Sequence, residues 1–232
     1  MATLLDTVKE ASQFRDATRE HRSVLAAAEK RLLIRTAKRL PRWVNSDHLT
    51  ALGAFAMLMV GTSYWMARFN RAGLIAAIFW LAVNWFGDSL DGTLARVRNQ
   101  QRPRYGFYVD HMLDSFGALF VLGGLALSQL MNPAVAAGIL VAYLLLSIEI
   151  YLATYTVGKF HLSFWKFGPT ELRIVMAIGC LRVYHHATAD LFGKRFLLFD
   201  VGGVIAIAGI AVTTIVSVIR HTRALYRLEP LD

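Results

Sequence analysis

The chain has 232 residues, 56% hydrophobic and only 18% charged, with a formal net charge of +9 and a mean hydropathy of +0.44. Uncharged runs at 49–67, 115–148 and 201–219 are each long enough to cross a bilayer core of about 30 Å. A soluble globular domain, a disordered chain and a secreted disulfide scaffold are thereby excluded, and the positive charge points to anionic lipid headgroups and a phosphate-bearing substrate, with no nucleic acid among the expected partners.

Residues 1–48 are charged and lack the apolar core and small-residue cleavage site of a signal peptide, so they read as a cytoplasmic N-terminal segment. Within it, 21–40 predicts a juxtamembrane amphipathic helix. Leu25, Leu32, Leu33, Thr36 and Leu40 form a partial stripe broken by Glu29, with Lys30, Arg31, Arg35 and Lys38 off it. Such a helix suits a membrane surface, although a solvated helix or a dimer contact has the same pattern.

Six spans follow, at about 49–68, 73–95, 108–130, 134–157, 172–189 and 200–220. Asn132-Pro133 divides the longest run, because proline suits a first helical position and restricts the residue before it. The fifth span is the weakest, interrupted by Arg182 and followed by His185 and His186. The expected fold is all-α: a six-helix transmembrane catalytic domain over 49–220, with a cytoplasmic tail at 221–232. With six spans, 20 of the 25 lysines and arginines fall on the side of the N-terminus, which places both termini in the cytoplasm. Cys180 is the single cysteine and sits in an apolar stretch, so it reads as a small buried hydrophobe and leaves no disulfide or cysteine-rich zinc site.

Four carboxylates stand where a membrane protein should have none: Asp88, Asp91, Asp110 and Asp114. A charge at the bilayer centre costs about 2.5–3.5 kcal/mol on insertion scales, and four together repel one another unless a shared cation neutralises them or some are protonated. At 100° per residue, Asp88, Asp91, Gly92, Ala95 and Arg96 form one stripe, and Gly106, Asp110, Asp114 and Gly117 form another on the next helix. A short basic linker over 97–105 lets the two stripes face each other. Ligation by carboxylate oxygens favours Mg²⁺, Mn²⁺ or Ca²⁺ over zinc, and His111 points about 100° away from Asp110. Small residues beside such ions, with an arginine in reach, suit a bulky diphosphate, although glycine in a membrane helix also serves close packing.

The run Asp88-Ser-Leu-Asp91-Gly92-Thr-Leu-Ala95-Arg96, nine residues, then Gly106-Phe-Tyr-Val-Asp110-His-Met-Leu-Asp114 resembles the signature of the CDP-alcohol phosphotransferase family at every fixed position. Asn45-Ser-Asp-His-Leu49-Thr50 resembles a diverged form of the segment that precedes that family's first span, with Val44 where a proline would stand. The resemblance implies two Mg²⁺ or Mn²⁺ ions held by Asp88, Asp91 and Asp110, with Asp114 a further ligand or the catalytic base. It implies nucleotide and phosphate contacts at Gly92, Ala95, Arg96 and Gly106, with lesser weight on Asn45 and Thr50. The implied reaction is attack of an alcohol on the β-phosphorus of a CDP-linked donor, chiefly CDP-diacylglycerol, with release of CMP. A homodimer in a prokaryotic inner membrane, serving phospholipid synthesis, is the implied setting.

The acceptor is less legible. Lys159, His161, Lys166 and Arg173 crowd one connection and suit a phosphorylated acceptor, Lys159 and Arg173 above the others, or simply mark the cytoplasmic side. Glu171 suits an amine-bearing acceptor instead, and Glu149 is either a polar pocket residue or a helix-packing group. Three other functions compete, the weakest being a non-catalytic scaffold, which gives no reason to bear the cost of four intramembrane acids. An aspartate-rich membrane prenyltransferase matches Asn84-x-x-x-Asp88 and Asp110-x-x-x-Asp114 in part but leaves Gly92-x-x-Ala95-Arg96 unexplained, and a cation transporter explains only the buried acids.

Overall fold

The computed structural model describes residues 26–157, 168–191 and 193–231. Its helices are α1 (Ala26–Arg39), α2 (Ser46–Met66), α3 (Ala72–Val97), α4 (Pro103–Leu127), α5 (Pro133–Val157), α6 (Pro169–His185) and α7 (Leu198–Leu228). A two-stranded antiparallel hairpin, β1 (Thr188–Leu191) and β2 (Lys194–Leu197), joins the last two helices. Proline opens α4, α5 and α6, where its missing N–H is one the helix would leave unpaired anyway. At Asn132-Pro133 the Asn132 side chain accepts from Ala134 N–H at 2.9 Å, so the long apolar run divides where the sequence predicts.

Five helices, α2, α3, α4, α5 and α7, are long and apolar enough to cross a membrane. The expectation of six is not met in full. Helix α6 has 17 residues, about 25 Å at 1.5 Å each, and includes Glu171, Arg173 and Arg182. The hairpin departs from the all-α expectation. Its short strands carry no apolar alternation, and only Gly193, at φ +75°, signals a turn.

Helix α2 packs against both α3 and α4, α5 packs against α4 and α7, and α3 packs against α6 and α1. The first two crossings are close backbone approaches. A methyl placed on Gly87 would lie 2.7 Å from Gly53 N and Leu49 O, and one on Gly124 would overlap the Gly61 carbonyl. Small residues allow such contacts, and in a lipid-solvated bundle dispersion across them holds the helices together. The Gly53–Gly87 approach sets Asp88 directly beside α2. A core of Val60, Tyr64, Leu74, Leu81, Val121, Leu125, Cys180 and Val183 fills the far half of the bundle. Cys180 is buried there, 3.2 Å from the Tyr64 hydroxyl.

Helix α1 spends part of its apolar stripe on the protein itself. Leu33 and Ala37 are buried against Leu49, Leu90 and Leu94, so that part of the face is occupied by α2 and α3. Leu25 lies outside the described residues, and Leu32 is exposed. Arg98 donates to the carbonyl oxygens of Leu40, Pro41 and Val44, clamping the α1–α2 turn to the end of α3.

Candidate functional site

Asp88, Asp91, Asp110 and Asp114 line one cleft between α2, α3 and α4, together with Thr50, Gly53, Ala54, Met57, Asn84 and Leu113. The helical spacing inferred from sequence therefore aims both acid stripes at one space. Helix α2 supplies a third wall, which no spacing in the aspartate motif discloses.

Each carboxylate on α3 has protein partners. Asp91 is buried, with Oδ2 accepting from the Thr50 hydroxyl at 2.7 Å and Oδ1 from Gly92 N–H, while its carbonyl oxygen accepts from Ser46 Oγ at 3.0 Å. The more exposed Asp88 accepts from Arg173 Nη2 at 2.6 Å. Arg173 Nε also donates to Asn84 Oδ1 at 2.8 Å, and the Asn84 amide donates to Gly53 O at 3.0 Å, so α2, α3 and α6 are linked through one polar chain. Asp114 is near enough to Tyr143 and Tyr151 of α5 for its charge to act on both phenols. As these side chains stand, no three histidine, cysteine, aspartate or glutamate groups among the described residues enclose a common ion position. The donor chemistry nonetheless fits a hard divalent cation: four carboxylates share a cleft and no thiol or imidazole joins them. His111 Nδ1 lies 2.6 Å from the Phe107 carbonyl, and the residue is not among those lining the cleft.

The glycines divide into two kinds. A methyl on Gly92 would meet only the flexible guanidinium of Arg96, at 3.5 Å, and one on Gly106 would meet nothing within 4 Å. These two are not needed for packing, unlike Gly53, Gly61, Gly87 and Gly124. They leave room at the ends of both acid stripes. Ala95 is half-buried, and the exposed Arg96 donates to Thr93 Oγ1 at 3.2 Å.

The predicted segment before α2 has two distinct roles. Asn45 caps the helix, its Oδ1 accepting from His48 N–H at 2.9 Å, and does not line the cleft. Thr50 does line it. Glu171 accepts from Gly168 N–H at 2.9 Å, satisfying the N-cap amide of α6, and is not a cleft-lining group. Glu149 pairs with His221 at 2.6 Å, joining α5 to α7 away from the aspartates. Lys159, His161 and Lys166 lie outside the described residues.

Sequence reasoning missed Ser46, Glu29 and the structural role of Asn84. Asn84 stands four residues before Asp88 on the same stripe, a signal that was available. The partnership of Arg173 with Asp88 spans 85 positions and has no local signature.

A search of curated proteins finds no match. The family model for CDP-alcohol phosphatidyltransferases matches residues 43–218, which contain α2 to the greater part of α7 and every cleft-lining residue. Proteins of this family are transferases that move a phosphate-linked group from a CDP-alcohol. With that match over most of its length and both aspartate stripes in one cleft, the chain belongs to the CDP-alcohol phosphatidyltransferase family.

Proposed function

We propose that this protein transfers a phosphatidyl group from CDP-diacylglycerol to an alcohol, releasing CMP, in the synthesis of a membrane phospholipid. The observation that carries the reading is the convergence of Asp88, Asp91, Asp110 and Asp114 on one cleft, beside two glycine positions that the protein's own packing leaves open. Asp88, Asp91 and Asp110 would hold two Mg²⁺ or Mn²⁺ ions, which when bound neutralise phosphate charge and polarise the phosphoryl oxygens. Gly92, Ala95 and Gly106 admit the CDP moiety, and Arg96 turns from Thr93 toward its phosphates.

In the reaction, the acceptor oxygen attacks the β-phosphorus and forms the new O–P bond. The bond from that phosphorus to the bridging oxygen breaks, and CMP departs with the electron pair. Asp114 orients the hydroxyl and takes its proton as the bond forms, the role open to a weak carboxylate base in a loose transition state. Arg173 exchanges Asp88 for the phosphate of an acceptor such as glycerol 3-phosphate or an inositol phosphate, and that exchange frees Asp88 for metal. Lys159 supports the same acceptor. With α6 as a short sixth crossing, the excess of basic residues on one side supports a cleft and termini at the cytoplasmic face of an inner membrane. A homodimer is the expected assembly.

The test is CMP release by the purified protein with CDP-diacylglycerol or CDP-choline as donor and phosphorylated polyols or amino alcohols as acceptors. Expected are turnover with CDP-diacylglycerol and a phosphorylated polyol, its abolition by EDTA and its restoration by Mg²⁺ or Mn²⁺. Stimulation by amino alcohols alone would remove Arg173 from the acceptor site, and ion flux without CMP would favour a transporter. A narrower expectation concerns Thr50→Val, which takes a hydroxyl donor from Asp91 while keeping the side-chain volume. Since a hydrogen bond to a charged group contributes about 1.5–3 kcal/mol, kcat/KM should fall by about 10- to 100-fold with folded yield unchanged. An unaltered kcat/KM would show that Thr50 does not hold Asp91 during turnover.

A further inference from the structure

Glu29 is the one acidic residue of α1, and in the sequence it merely interrupts an apolar stripe. In the fold its Oε1 accepts from Trp85 Nε1 at 2.7 Å, from Thr170 Oγ1 at 2.9 Å and, more distantly, from Ser89 Oγ at 3.4 Å. Trp85 and Ser89 lie one turn apart on α3 and bracket Asp88. Thr170 lies on α6, three residues before Arg173. A single carboxylate oxygen therefore ties α1 to the two helices that carry the two members of the Asp88–Arg173 pair.

The physical need for such a tie is visible along α6. Its second half is anchored by Cys180 and Val183 in the apolar core. Its first turns present Leu172, Ile174 and Val175 outward, each at least 43% exposed, so apolar packing holds that end weakly. The polar contacts of Thr170 and Arg173 hold it instead. Helix α1 is itself held, since Leu33 and Ala37 are buried one and two turns beyond Glu29.

We infer that Glu29 is a positioning residue for the acceptor side of the cleft. By gripping Thr170 it fixes the first turn of α6 at the distance from α3 that lets Arg173 reach Asp88 and, in turn, the acceptor phosphate. Helix α1 is then a working part of the site. The inference rests on the proposed role of Arg173. Donor contacts lie on α3 and α4, and although Glu29 also bonds Trp85 and Ser89, α3 is held along its length by packing against α2 whereas the start of α6 rests on its polar contacts, so loss of Glu29 should bear chiefly on the acceptor.

The experiment compares full-length wild type, Glu29→Ala, Glu29→Gln, Thr170→Val and Arg173→Ala in lipid vesicles. CMP release is measured with glycerol 3-phosphate and inositol 1-phosphate as acceptors, alongside hydrogen exchange over 169–175. Loss of charged hydrogen bonds should raise the acceptor KM of Glu29→Ala about tenfold, with kcat and donor KM within about twofold. Glu29→Gln, which keeps an acceptor oxygen, should recover part of the loss. Adding Thr170→Val to Glu29→Ala should cost nothing further, because both act through one contact. Amide exchange at the start of α6 should quicken in Glu29→Ala without a change in the second half of α3. An unchanged acceptor KM, equal rises in donor and acceptor KM, or unaltered exchange would overturn the inference. Should Glu29→Ala fail to fold, Thr170→Val faces the same criteria with α1 packing intact. If Arg173→Ala raises the acceptor KM and neither Glu29 nor Thr170 variants do, this inference alone falls. If Arg173→Ala has no effect, or wild type releases no CMP, the proposed function of Arg173 or of the protein falls, and the inference with it.

Discussion

Asp114→Asn is expected to lower kcat by about 10²- to 10⁴-fold, equivalent to about 3–5 kcal/mol of transition-state stabilisation, while donor affinity changes little. Asparagine preserves the volume and one oxygen, so the cleft keeps its shape. What it cannot do is take the proton that the attacking hydroxyl must lose. Asp114 stands one turn beyond Asp110 and lines the same cleft. The proposed donor contacts, by contrast, lie on Asp88, Asp91, Gly92 and Gly106. The stability expectation has the opposite sign from the activity one. Removing one of several neighbouring like charges relieves repulsion in a poorly solvated region, so thermal unfolding should not move downward. Parallel measurements of CMP release with Mg²⁺, donor binding by calorimetry and thermal unfolding in detergent test all three. Near-normal turnover would remove Asp114 from the proton path, and a large fall in melting temperature would mean that its role is structural.

Gly124→Ala should be the most damaging single methyl in the bundle, and Gly123→Ala its internal control. A methyl at 124 collides with the Gly61 carbonyl, a backbone group that cannot rotate aside, whereas at 123 it meets nothing within 4 Å. Overpacking of this kind typically costs 1–3 kcal/mol or more, and here the only relief is to move α2 away from α4. That separation also opens the cleft, because Thr50, Ala54 and Met57 stand on α2 and Asp110 and Asp114 on α4. Gly124→Ala should therefore lose folded yield and CMP release together, although it lies ten residues from Asp114, about 15 Å along the helix. Gly123→Ala should retain both. Equal tolerance at the two positions would mean that α2 and α4 do not cross by backbone contact.

Much of the architecture was legible because a bilayer imposes a local rule. A crossing helix must be apolar over a set length, so apolar runs predict α2, α3 and α5 to within three residues, while α4 begins five residues earlier and α7 ends eight residues later than expected. The aspartate stripes were legible for a related reason: α-helical periodicity converts spacings of three and four into a shared face. The same rule fails at α6, whose charged residues serve its partners and shorten its apolar length. It fails again at α1. Glu29 looks like a flaw in an amphipathic pattern until Trp85 and Thr170 are beside it.

The glycines mark the division most clearly. Gly92, Gly106, Gly123 and Gly124 are alike in composition and all lie on helices, yet only Gly124 meets another backbone. From its sequence alone this chain is a multi-helix membrane protein with four acids on two adjoining helix faces, because hydropathy and period are properties of neighbouring residues. The tertiary structure decided which glycines are crossings and which are open space, that Arg173 rather than a residue of the aspartate motif neutralises Asp88, and that α1 is fastened to the cleft. Those contacts join residues 63, 85 and 141 positions apart, and their distances depend on how whole helices cross, which no local pattern encodes.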